Sequence, residues 1–122
     1  MEHDKVAAMS EPVAATEIPL DEFHAAWSAA VDAGAPLTVL DVRELDEWTS
    51  THLPDVVLVP LSELADRVGD VPSGRPLYVI CAAGKRSMTA ATALVDQAGI
   101  EAISVAGGTN GWAAAGYPVE AG

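Results

Sequence analysis

The chain has 122 residues, 50% of them hydrophobic, with a mean hydropathy of +0.24. That is enough for one domain, able to bury about two thirds of its unfolded surface, and too apolar for wholesale disorder. A net charge of −12, from 6 Lys and Arg against 18 Asp and Glu, argues against nucleic acid and against an anionic membrane surface, because both need clustered cations.

No apolar run approaches the roughly 18 residues of a membrane span. The start, Met1-Glu2-His3-Asp4-Lys5, is not followed by a signal-peptide core, since Val6-Ala7-Ala8-Met9 is too short. A cytoplasmic protein is expected. A single cysteine, Cys81, excludes an intrachain disulfide and a relay to a second thiol within the chain. The three histidines, His3, His24 and His52, are scattered and read as surface residues. No metal site and no cofactor are expected.

Residues 1–14 carry mixed charge, Pro12 and no periodicity, and read as a mobile tail. Residues 15–122 then read as one domain. A possible edge strand lies near Ala14–Ile18. Leu20, Phe23, Trp27 and Val31 recur at helical spacing, which predicts a helix over Asp21–Ala33 stopped by Gly34. Leu37–Leu40 reads as a buried strand, followed by a polar helix over about 43–50. Asp41 and Glu44 have capping-box spacing, and Asp41 is expected to cap that helix. Val56–Val59 reads as a strand ended by Pro60, and Ser62 as the cap of a short helix reaching about Val68.

After a connector with Pro72, Gly74 and Pro76, Leu77–Ile80 is an apolar strand with Cys81 as its last residue. A helix is predicted from about Lys85 to Gln97, closed by Gly99. Ile103–Val105 reads as the next strand. Gly107-Gly108 then permits a tight turn, and a short helix around Trp112 closes at Gly116, with Trp27 and Trp112 as packing residues. Continuous apolar strands separated by helices give an α/β fold: one parallel sheet of about five strands with helices on both faces. Ligands of such sheets sit beyond the carboxyl ends of the strands, which is where Cys81 falls.

The segment Cys81-Ala82-Ala83-Gly84-Lys85-Arg86-Ser87 joins that strand to a helix N-terminus. Small residues at 82–84 let successive backbone N–H groups converge on one point, and the helix dipole aims there too. Lys85 and Arg86 add positive charge. These effects favour a thiolate, so a depressed Cys81 pKa is expected. The plain alternatives are a small buried hydrophobe at a strand end and a solvated cationic pair at a helix start.

The loop Cys81-x-x-Gly84-x-Arg86-Ser87 resembles the active-site loop of rhodanese-like sulfurtransferases. Asp41-Val42-Arg43-Glu44, Glu47-Trp48 and His52-Leu53-Pro54 are similar to the family's segment after its second strand. Gly107 to Trp112 and Gly116-Tyr117-Pro118-Val119 are similar to its closing segment. Three motifs in order cover roughly residues 15–120.

The resemblance implies a rhodanese-like fold and a sulfurtransferase in which Cys81 is the nucleophile and carries sulfur as a persulfide. It implies a substrate site made by Ala82, Ala83, Gly84, Lys85, Arg86 and Ser87, with Arg86 on the donor's anionic group. The implied partners are a small anionic sulfur donor, thiosulfate or a persulfide, and a thiol, cyanide or protein acceptor. Two departures, Ala82 after the cysteine and Asp55-Val56 where the family usually has Gly-Ala, bear on donor preference. The rivals are an inactive rhodanese-like binding module, a cysteine-dependent phosphatase and a thiol-dependent arsenate reductase. The phosphatase loop places its arginine one residue further from the cysteine.

Overall fold

The protein is described by a computed structural model over residues 15–122, so the segment 1–14, expected to be a mobile tail, lies outside the described residues. In chain order the elements are β1 (Thr16–Ile18), α1 (Leu20–Asp32), β2 (Thr38–Asp41), α2 (Leu45–Ser50) and β3 (Val57–Leu58). Then come α3 (Leu61–Leu64), a 3₁₀ turn at Val68–Asp70, β4 (Leu77–Ile80), α4 (Lys85–Ala98), β5 (Ala102–Val105) and α5 (Gly108–Ala114).

The strands form one sheet in the order β1-β5-β4-β2-β3, and every pairing is parallel. Register is continuous across its centre, with Leu40 opposite Val79 and Val79 opposite Ser104. The expected α/β class and the edge strand near Ile18 are therefore present.

The sheet is buried on both faces because its side chains alternate between two apolar layers. Leu77, Val79 and Cys81 point to the side covered by α4, where they meet Ala90, Ala91 and Leu94. Tyr78 and Ile80 point the other way, toward Phe23 of α1 and Trp112 of α5. Phe23 lies between Tyr78 and Trp112, at ring-centroid distances of 5.3 and 5.6 Å, and Trp27 packs on Trp112 as expected. This layering fixes the end of β4, and so fixes where Cys81 stands. Among the described residues, no helix is long and apolar enough to cross a membrane.

Four expectations need correction. Ser62 does not cap α3: Pro60 holds the N-cap position, Ser62 lies inside the helix, and its hydroxyl donates to Glu44 Oε2 at 3.0 Å. The helix stops at Leu64, with a separate 3₁₀ turn over Val68–Asp70 in place of a run to Val68. Asp41 does not cap α2. Glu44 is the N-cap, and its N–H donates to Glu47 Oε1 at 2.9 Å, while Asp41 is committed to Arg43. His52 is no surface residue. Its ring stacks on Trp48 at 3.9 Å, its Nδ1–H donates to the Trp48 carbonyl at 2.9 Å, and only 6% of the residue is exposed.

Candidate active site

Cys81 follows β4 directly, one residue past the strand, and the chain then turns through Ala82 and Ala83 into Gly84 at the head of α4. Gly84 has φ +104°, a conformation that residues with a Cβ rarely adopt. That turn swings the backbone back over the sulfur. The Gly84 N–H donates to Cys81 Sγ at 3.1 Å and the Ser87 N–H at 3.2 Å, while the Ser87 hydroxyl oxygen lies 3.4 Å away. The expected cup of amides around the sulfur is therefore formed.

Burial pushes the Cys81 thiol up. Hydrogen bonds from the Ser87 hydroxyl and from the N–H groups of Ser87, Gly84 and Ala83 outweigh it, so the thiol sits below its ordinary value. The direction agrees with the sequence expectation, but the cause lies in short-range donors more than in Lys85. Cys81 is also a member of the apolar layer under α4, as the plain reading of a packed strand-end cysteine expects. Around Sγ in the loop, Ala83 and Lys85 are exposed and Ala82, Gly84 and Arg86 half-buried.

The two cations of the loop diverge. Lys85 points outward and, with Gly84, Met88, Thr89 and Thr92, lines an open hollow of about 460 Å³. Arg86 instead reaches across to α2, where Nη1 and Nη2 donate to Glu47 Oε1 and Oε2, both at 2.8 Å. The Arg86 guanidinium holds the Glu47 carboxyl down at about 2, and Glu47 raises Arg86 in turn.

Behind this pair lies a second one. Asp41 at the end of β2 takes Arg43 Nε at 3.1 Å and Nη2 at 2.8 Å, and both residues are buried. The same guanidinium donates to the carbonyls of Glu47 and Thr51, tying α2 to the sheet end. Sequence spacing missed this because a two-residue separation in a loop carries no periodic signal.

The other wall is α5. The N–H groups of Thr109 and Asn110 donate to the carbonyls of Cys81 and Ala82 at 2.8 and 3.0 Å. The Gly107-Gly108 turn thus sits against the loop. Ser104, on β5, was not anticipated at all. Its hydroxyl lies 2.8 Å from that of Ser87 and is fully buried.

A buried cysteine thus stands under converging amides at the carboxyl end of the central strand of this sheet. The family model of the rhodanese-like domain matches residues 24–115. The chain belongs to the rhodanese-like family.

Among its relatives, this rhodanese-like domain is 35% identical over 111 residues to a candidate sulfur carrier protein, YrkF, of Bacillus subtilis. That match covers 91% of the chain but 56% of the relative, so the chain spans little more than half of that protein's length. It is 37% identical over 82 residues to the thiosulfate sulfurtransferase GlpE of Pseudomonas savastanoi, covering 67% of the chain and 76% of the relative. The crystal structure of a rhodanese-related protein from Thermoplasma volcanium superposes with a TM-score of 0.69 at 31% identity, over 86% of this chain and 97% of that one. Among the described residues, no group of three or more His, Cys, Asp or Glu could hold a metal ion.

Proposed function

We propose that this rhodanese-like domain is a sulfurtransferase in which Cys81 carries the transferred sulfur. The observation that carries the reading is the pair of backbone N–H groups, Gly84 and Ser87, donating to Sγ at 3.1 and 3.2 Å. A sulfur held by aimed amides is poised as an anion, and a persulfide is an anion at the same place. The relatives' names add support, since one is a thiosulfate sulfurtransferase.

In the first half-reaction the Cys81 thiolate attacks the outer sulfur of thiosulfate. An Sγ–S bond forms, the donor's S–S bond breaks, and sulfite leaves with the electron pair. In the second, an acceptor nucleophile attacks the outer sulfur of the persulfide and the Sγ–S bond breaks. Thiolate is regenerated, with cyanide leaving as thiocyanate or a thiol as its own persulfide. No cofactor or metal enters either step. Ala82, Ala83 and Gly84 offer a low-bulk cradle for the outer sulfur. Arg86, its charge shared with Glu47, is the cation assigned to the donor's anionic group, and Lys85 stands exposed at the outer side of the loop. The partners are small sulfur compounds or acceptor thiols, without nucleic acid, and a free thiolate suits the reducing cytoplasm.

Intact-mass measurement after incubation with thiosulfate tests this. Wild type should gain one sulfur atom, discharge it to cyanide, and Cys81→Ser should gain none. An aryl phosphate hydrolysed without sulfur uptake would instead mark a phosphatase, and no chemistry with either would mark a binding module.

A further inference from the structure

We infer that Glu47 is a specificity-determining residue: its two-pronged grip on Arg86 at the mouth of the Cys81 loop disfavours a compact dianion such as thiosulfate and favours an organic persulfide as donor. The inference rests on the sulfurtransferase reading above.

Both terminal nitrogens of the loop cation Arg86 donate to Glu47, each to one carboxylate oxygen at 2.8 Å. A fork-to-fork pair of this kind uses the geometry with which arginine would otherwise clasp an oxyanion. Nor is Glu47 free to swing aside. Its Oε1 also accepts the Glu44 N–H at 2.9 Å, and Arg43 donates to the carbonyls of Glu47 and Thr51. An incoming dianion must therefore displace an anchored carboxylate or bind beside it. Either route weakens its binding, since like charges so placed repel.

An organic persulfide presents a different charge layout. Its reactive end brings at most a single negative charge to the loop, and it carries an organic body behind that end. The open hollow of about 460 Å³ beside the loop has room for such a body. Lys85 lines that hollow and makes no ion pair among the described residues, so its ammonium is available to a carboxylate on the donor. Lys85 is thus the loop's exposed cation, while Arg86 is clamped. The pair sets which anion the site accepts.

The test is steady-state kinetics on the full chain with cyanide as acceptor and two donors, thiosulfate and glutathione persulfide. In Glu47→Gln the ratio of kcat/KM for thiosulfate to that for the persulfide should rise about tenfold, chiefly through a lower thiosulfate KM, as one charge-assisted contact becomes available. Adding Arg86→Ala to Glu47→Gln should remove the gain. Glu47→Asp, which keeps the charge but cannot hold both prongs, should raise the ratio less, and it decides the matter should Glu47→Gln fail to fold. An unchanged ratio in the folded variants, or a gain that survives loss of Arg86, overturns the inference and leaves the pair a structural tie. If intact mass shows that wild-type Cys81 takes sulfur from neither donor, the sulfurtransferase reading itself falls, and this inference with it.

Discussion

Ser104 on β5 and Ser87 on α4 place their hydroxyl oxygens 2.8 Å apart, both fully buried, and Ser87 stands 3.4 Å from the Cys81 sulfur. The row Sγ, Ser87, Ser104 contains two links. With a thiolate, the two hydroxyl hydrogens fill both, Ser104 donating to Ser87 and Ser87 to sulfur. With a thiol the row reverses, the S–H donating to Ser87 and Ser87 to Ser104, and the Ser104 hydrogen is left without an acceptor in the row. The row therefore favours the charged sulfur, in the direction found for Cys81.

Ser87→Ala removes the donor that touches the sulfur. A hydrogen bond to a charged group is worth about 1.5–3 kcal/mol, so sulfur uptake should slow by roughly tenfold or more at neutral pH. The midpoint of Cys81 alkylation against pH should move upward. Ser104→Ala removes only the group that polarises Ser87, and should slow uptake a few-fold, about the scale of hydrogen-bond cooperativity. A Ser87→Ala protein that alkylates with the wild-type midpoint would show the hydroxyl to be a bystander.

The Glu47–Arg86 pair gives a pH dependence with a definite sign. Glu47 lies at about 2 in the folded chain, below its ordinary 4.5, because Arg86 stabilises the carboxylate. Its folded value is depressed, so its contribution to stability is complete above about 4.5 and is lost as pH falls toward about 2. Both side chains are about a third exposed, at 31% and 36%, so solvent screening cuts the contribution to about 1 kcal/mol. Urea midpoints measured from pH 6 downward should show wild type and Glu47→Gln converging through that window. Parallel curves would mean that the pair contributes nothing to stability.

The loop from Cys81 to Ser87 was legible because its parts are contiguous: a strand end, two alanines, a glycine with positive φ and a helix start. The parallel sheet was legible for a related reason, since each apolar strand is short and separated from the next by a helix. What escaped was what the fold brings together from afar. Ser104 sits in an otherwise apolar strand and, read alone, is indistinguishable from sheet filler. Glu47 lies 39 residues from Arg86, and no periodicity links a short polar helix to a distant loop. Asp41 was misread because its spacing to Glu44 imitates a cap. The buried guanidinium of Arg43 claims it first, and an ion pair out of water outweighs an exposed capping bond.

That claim makes Asp41 a sensitive position. Asp41→Asn leaves the Arg43 charge buried at 4% exposure with a neutral partner. Breaking a buried pair from one side costs about 3–5 kcal/mol. Arg43 also ties α2 through the carbonyls of Glu47 and Thr51, so loss of its partner should loosen the helix that presents Glu47. Urea denaturation should show the lower stability, and amide exchange should rise first over Leu45–Ser50. A variant with wild-type stability would show that the pair is no stronger than a surface one.

Two glycines with left-handed backbone separate strain from loop displacement. Gly99 closes α4 at φ +64°, and a Cβ there would meet nothing within 4 Å. Gly99→Ala should therefore cost only the strain of the backbone, about 1 kcal/mol, with sulfur uptake unchanged. Gly108 has φ +57°, but a Cβ there would run into the carbonyl oxygen of Cys81 and come within 2.6 Å of the Ala82 carbonyl carbon. Those atoms are backbone and cannot turn aside, so the loop itself must move. The bonds from Thr109 and Asn110 to the Cys81 and Ala82 carbonyls stretch with it. Gly108→Ala should cost about 2–4 kcal/mol, the sum of strain and overpacking. It should also lose most sulfur uptake even where it remains folded, because the amides of Gly84 and Ser87 no longer share one focus. Thermal melts paired with intact-mass sulfur loading measure both. Equal losses of activity in the two alanine variants would sink the idea that α5 holds the loop in shape.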